Sequence, residues 1–172
     1  MAKRKARLKT YIISPLESVA QANKMEVEEV ITFREVIKEE IGSFVEIIDP
    51  IEHQEEKCGM NLEEAFELLT ELRERGKYKA AAVFTYPIVD IDLEAVRNST
   101  FVIAYIHSKY PTTGGIHELA EACNHKVPIY LVTDNLKKLS FWAMALVYRS
   151  KGELFGSVRD LLDFIKEDYS IG

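Results

Sequence analysis

Thr100–Thr133 reads TFVIAYIHSKYPTTGGIHELAEACNHKVPIYLVT, and the punctuation of this stretch points to one architecture. Thr100–Ile106 is a continuous run of apolar, largely β-branched and aromatic residues, as a strand buried on both faces requires. HSKYPTTGG follows as a turn of Ser, Pro, Thr and Gly. Ile116–Asn124 (IHELAEACN) then repeats its apolar residues at helical spacing, and Val127–Thr133 (VPIYLVT) is a second buried strand. Strand, helix and strand in that order form a crossover unit, which joins parallel neighbours. A side chain early in the helix of such a unit faces the crevice beyond the strands' carboxyl ends, where open α/β sheets bind ligands. Glu118, four residues after Gly114 and expected in the first turn of that helix, is therefore aimed at a pocket.

The same alternation runs outward from this stretch. Leu8–Ile13 (LKTYII) reads as a first strand, ended by Ser14 and Pro15. Met25–Ile41 is a long helix with Val27, Val30, Ile31, Ile37 and Ile41 at helical spacing, closed by Gly42 as a left-handed cap. Phe44–Ile48 is a second strand, stopped at Asp49 and Pro50. Asn61 is placed to cap a helix over Leu62–Glu74, with Leu62, Ala65, Phe66, Leu69 and Leu72 inward. Ala80–Thr85 suits either a strand or a helix entry, and Asp92–Asn98 reads as a helical turn before the strand at Thr100. Ser157–Asp160 (SVRD) reads as a capping box ahead of Val158, Leu161, Leu162 and Ile165, so an amphipathic helix closes the chain. Strands alternating with helices call for an α/β fold. The expectation is a single domain over 1–172, a doubly wound parallel sheet in a flavodoxin-like or Rossmann-like three-layer sandwich, with 1–7 as a basic tail.

Composition narrows the function. At 172 residues the chain is long enough to bury a core without disulfides or metal, and 47% apolar with 29% charged residues is ordinary for a soluble globular protein. No apolar run approaches the ~20 residues of a membrane span. MAKRKARLK at the start lacks the apolar stretch of a signal peptide, so a cytoplasmic location away from membranes is expected. The net charge of −6 counts against a nucleic-acid binder, whose affinity comes from basic side chains on phosphates. Lys3, Arg4, Lys5, Arg7 and Lys9 form the one dense basic cluster, and Cys58 and Cys123 suit a reducing compartment. No metal or cofactor is expected. His117, Glu121, Cys123 and His125 do not follow the HExxH spacing, and GxGxxG, GxSxG and Walker patterns are absent.

Three segments, in order and at matching spacing, carry a resemblance. YIISPLES (Tyr11–Ser18), DLEAVRNSTFVIAYI (Asp92–Ile106) and GGIHEL (Gly114–Leu119) are similar to the motifs of the nucleoside 2-deoxyribosyltransferase family, including the related deoxynucleoside 5'-monophosphate N-glycosidases. The likeness spans Tyr11 to Asn135. It implies attack on the anomeric carbon of a nucleoside or nucleotide, with Glu118 as nucleophile forming a covalent sugar ester, Asp92 contacting the substrate and Tyr11 holding the nucleophile. Ser14, Leu16, Thr112, Gly114, Gly115 and His117 would line the substrate, the two glycines by letting the backbone approach closely. His117 could supply a proton or face solvent. The family also implies a homo-oligomer whose subunits complete one another's pockets, and Asn135–Met144, with Phe141 and Trp142, is the candidate shared face.

Read singly, these residues have plainer roles: Glu118 would complement a helix dipole, Asp92 would cap a helix, and Tyr11 would fill the core. The chain also departs from the family. Thr112 stands where the transferases carry an aspartate six residues before the nucleophile and the monophosphate hydrolases a serine. Glu17 stands where those hydrolases have an arginine, and Ala120 replaces the glycine of their ELG. Transferase and hydrolase both remain open, as does a non-catalytic module of the same fold that senses a nucleotide-derived ligand.

Overall fold

Runs of Val, Ile, Phe and Tyr build the strands, and the polar stretches between them coil into helices that cover both faces of one sheet. The computed structural model of the chain describes residues 7–15, 24–108 and 113–171, without the side chains of 24–30, Cys58 and Leu62. Leu16, Glu17 and Thr112, the first six residues of the basic tail, and the side chains of Val27 and Val30 thus lie outside the described residues. The elements are β1 (Leu8–Ile13), α1 (Lys24–Ile41), β2 (Val45–Ile48), α2 (Pro50–Cys58), α3 (Leu62–Glu74), α4 (Tyr78–Arg97), β3 (Phe101–Ile106), α5 (Thr113–Asn124), β4 (Ile129–Thr133), α6 (Phe141–Arg149), β5 (Glu153–Phe155) and α7 (Val158–Asp168).

The strands pair in the order β2-β1-β3-β4-β5, and every pair is parallel. This is the flavodoxin-like order, in which the chain reverses direction across the sheet between β1 and β3. Tyr11 lies level with Ile48 on one side and Val102 on the other, well inside the sheet. Alternation along β1 sends Tyr11 and Ile13 to one face and Ile12 to the other. Tyr11 and Ile13 join Val102, Ala104, Leu119, Leu131 and Val147 in a core beneath α4, α5 and α6. Ile12 joins Phe33, Ile37, Ile103, Val132 and Leu161 beneath α1 and α7.

Several elements differ from the sequence expectation. Gly42 does not take a left-handed conformation; the positive-φ glycines among the described residues are Gly59 and Gly76. Glycine is needed at 42 because a Cβ would sit 2.4 Å from the Lys38 carbonyl oxygen. On α1 the buried stripe is Phe33, Arg34, Ile37 and Ile41, which leaves Ile31 exposed. Ala80–Thr85 and Asp92–Asn98 are not separate pieces: residues 78–97 form one helix of 20 residues. α2 and β5 were not anticipated, being short and, in α2, almost devoid of apolar pattern. At Ser157 the cap is real but local, its Oγ accepting the Asp160 N–H and donating to the Asp160 carboxylate. Among the described residues no helix is long and apolar enough to cross a membrane.

Candidate active site

Three acidic or phenolic groups from distant parts of the chain meet on the α4–α5 face of β1. Tyr11 comes from the middle of the strand and is fully buried. Its hydroxyl donates to Glu118 Oε1 at 3.0 Å. Glu118 projects from α5, whose helical turns begin at Thr113, so it stands in the second turn and not the first. That position takes it down from the rim toward Tyr11. Asp92, 9% exposed, reaches in from α4.

Gln54 completes the cluster and was not legible beforehand. Its Nε2 donates to Asp92 Oδ2 at 2.8 Å. The residue rides on α2, a helix (PIEHQEEKC) too polar to hold itself by burial, so its placement depends on its start. Asp49 caps it, accepting the Ile51 N–H at 3.0 Å, and Pro50 supplies the fixed φ of a first helical residue. Asp49 is in turn 3% exposed and gripped by Arg34 through both carboxylate oxygens and by Lys38 Nζ at 2.7 Å. Burial draws the Arg34 guanidinium down to about 10, still charged at neutral pH. The Asp49-Pro50 pair that was read only as a strand stop was also a helix start signal.

The electrostatics follow from crowding acids where water is scarce. Burial, reinforced by the charge of Asp92, pushes the Glu118 carboxyl up to about 8, with the Tyr11 hydrogen bond pulling the other way. Burial also raises Asp92 to about 6, against hydrogen bonds from Tyr11 and Gln54. Tyr11 is raised well above its ordinary value by burial and by the two acids, so it stays a donor. One phenolic proton serves one acceptor at a time. With Tyr11 turned to Glu118, Asp92 Oδ1 is buried without a hydrogen-bond partner among the described residues, and so is Ser14 Oγ at the end of β1. Unpaired buried polar atoms are costly, and a ligand's polar groups are one way to satisfy them.

Of the other expected substrate contacts, Leu16 and Thr112 lie outside the described residues. Gly115 is buried and Gly114 exposed, and a Cβ at Gly114 would meet nothing within 4 Å, so packing within the protein does not demand glycine there. His117 is exposed on α5 and is not brought into the Tyr11, Asp92 and Glu118 cluster. Among the described residues no three His, Cys, Asp or Glu side chains are grouped to hold a metal ion.

Fold and site together define a flavodoxin-like α/β protein with a partly buried pair of acids held by a tyrosine and a glutamine beside the β1/β3 switch point. Among solved structures this fold is shared with a 2-deoxyribosyltransferase from the psychrotolerant bacterium Bacillus psychrosaccharolyticus, at 16% identity and a TM-score of 0.59, over 90% of each chain. It is shared too with BcmB, a CMP N-glycosidase of Clostridium botulinum, at 11% identity and a TM-score of 0.51, over 92% of this chain and 98% of that one. No established family profile matches the sequence. No curated protein is similar to it either.

Proposed function

We propose that this protein cleaves or transfers the N-glycosidic bond of a (deoxy)nucleoside or nucleotide through a covalent glycosyl ester on Glu118. The observation that carries the reading is the Tyr11–Glu118 hydrogen bond set beside Asp92, an acid with one buried oxygen left open. The two solved proteins of this fold named above, a 2-deoxyribosyltransferase and a CMP N-glycosidase, support a reading on this kind of bond.

The chemistry follows from one proton spread over two acids. At neutral pH the proton of the pair resides mainly on Glu118, the less acidic of the two. As the C1'–N bond lengthens, positive charge grows on the sugar and favours the Glu118 anion, so the proton passes to Asp92. Glu118 Oε then bonds to C1', the bonding pair leaves with the base, and Asp92 gives the base its proton. Water or a second base attacks C1' next, returning the carboxylate and its proton to the pair. Tyr11 orients Glu118 throughout, and Gln54 orients Asp92. Ser14, Leu16, Thr112, Gly114, Gly115 and His117 would form the surrounding wall. No cofactor is needed for this sequence of steps. The protein is taken to act as a homo-oligomer, with Asn135–Met144 as a shared face; Phe141 and Trp142, 87% and 77% exposed, support that choice.

The second reading, a non-catalytic module that binds a nucleotide-derived ligand, is favoured by one observation: a neutral Glu118 at pH 7 is a hydrogen-bonding group and not yet a nucleophile. Incubation with deoxynucleosides, ribonucleosides and their monophosphates, with and without an acceptor base, separates the readings. Free base marks a hydrolase and exchanged base a transferase. Tight binding with neither product marks the module and ends the catalytic proposal.

A further inference from the structure

Elsewhere in the fold, acids drawn out of water are met by cations. Asp49 is held by Arg34 and Lys38, and Glu121, its side chain 16% exposed, by Arg97 at 2.6 Å. Glu118 and Asp92 are treated differently. Glu118 takes the neutral hydroxyl of Tyr11 and Asp92 the neutral amide of Gln54, and among the described residues no cation lowers either carboxyl. Arg34, the one buried lysine or arginine among the described residues, is already spent on Asp49.

A buried charge with only neutral partners is costly, because hydrogen bonds return only part of its lost hydration. At neutral pH the pair carries one such charge, since Glu118 holds a proton and Asp92 has lost one. The geometry marks where a partner would stand. Asp92 is 9% exposed, and its Oδ1 is buried with no hydrogen-bond partner among the described residues. An uncharged donor would satisfy that oxygen and leave the charge unmatched; a cation satisfies both. The positive charge of a glycosyl transition state is too brief to serve the bound complex, so the ligand has to bring its own.

We propose that this site recognises N-glycosides whose base carries a positive charge, as a quaternised pyridine or an N-alkylated purine does, with the cationic ring against Asp92 and the anomeric carbon toward Glu118. For the bond that is broken, this rests on the N-glycosidic reading. The C1'–N bonding pair leaves with the base and cancels its charge, so no proton has to follow it. The proton that passes from Glu118 to Asp92 stays there while Glu118 Oε bonds to C1'. Water then attacks C1', Glu118 leaves as a carboxylate and retakes the proton from Asp92, and the proton lost by the water goes to solvent. The products are the neutral base, the free sugar and one proton. A neighbouring cation also favours the charged form of a carboxyl, so the bound base itself draws Glu118 toward the anion that attacks.

Isothermal titration of the full chain at pH 7 tests the recognition with two rings that have no glycosidic bond: 1-methylnicotinamide, a cation, and nicotinamide, nearly the same ring without the charge. The cation should bind at least ~10-fold more tightly. Asp92→Asn, checked for folding by far-UV circular dichroism, should abolish the preference, and Asp90→Asn, an exposed acid on the same helix, should keep it. Base release from nicotinamide riboside is then compared with that from its 1,4-dihydro form, which has the same sugar and no charge. Each rate divided by the rate without protein, the cation should lead by about 100-fold or more. Equal binding of the two rings, or none by either at ~10 mM, overturns the proposal, and so does a preference that survives Asp92→Asn or is lost in Asp90→Asn. Cleavage of neutral deoxynucleosides with no lead for the cation overturns it too, and leaves the catalytic reading standing. A cation preference with no base released from any N-glycoside upholds the recognition and ends the catalytic reading instead.

Discussion

The hydroxyl of Tyr11 donates a 3.0 Å hydrogen bond to Glu118 Oε1 across 107 residues of chain. A phenol that burial and two neighbouring acids keep protonated is a steady donor, and its hydrogen bond opposes the burial that would keep Glu118 neutral. Tyr11→Phe keeps the ring in the core and removes only this bond. The Glu118 carboxyl should rise further above about 8, and kcat should fall on the order of 10–100-fold with a smaller change in KM. Steady-state kinetics on the best substrate of the panel check this.

The form that reacts carries one proton on the pair. The profile of kcat/KM against pH should therefore be a bell with limbs near 6 and 8, belonging to the pair as a whole. Gln54 holds the Asp92 value down by hydrogen bonding its anion. Gln54→Leu should move the lower limb upward and narrow the bell. A bell of unchanged shape in that variant would show that Gln54 does not act on Asp92.

Stability carries the same signature with the opposite practical sign. Glu118 is raised in the fold, so between 4.5 and about 8 the folded state binds the proton and the unfolded state does not. By linkage, stability falls as pH rises through that window. Glu118→Gln has no proton to lose. At pH 5 its Tm should match the native chain, and at pH 9 it should exceed it by roughly 5 °C. Thermal unfolding at the two pH values checks the crossover; equal Tm differences at both would show that no buried charge is being formed.

Gly152, just ahead of β5, tests the packing of the sheet's edge. A Cβ there would sit 1.8 Å from the carbonyl oxygen of Ile129, a backbone atom that cannot step aside. Gly152→Ala should destabilise the fold by on the order of 2–4 kcal/mol, read as a lowered urea midpoint with unchanged slope.

Much of this architecture could be read in the residues, for reasons that differ by element. β1 and β3 are legible because buried parallel strands are unbroken apolar runs, and α3 begins and ends where Asn61 and its periodicity place it. α4 was seen only in pieces because apolar residues on every side erase the period that marks a helix. α2 lacks an apolar face altogether and is held by the ion pair of Asp49 with Arg34, a contact between residues 15 apart that no local pattern encodes. Gln54 was invisible for that reason. Tyr11, Asp92 and Glu118 were singled out by the order of three motifs; the second-turn position of Glu118 and the buried open oxygen of Asp92 depend on contacts between distant segments, which no local pattern carries.

The covalent ester on Glu118 is tested most directly by mass spectrometry of the protein quenched in acid during turnover of a 2'-fluoro nucleoside, whose electron-poor sugar slows the second step. The chain should gain the mass of one glycosyl group, mapped to the peptide containing Glu118, as one equivalent of base is released. Release of base with no such adduct, and undiminished turnover by Glu118→Ala, would contradict it.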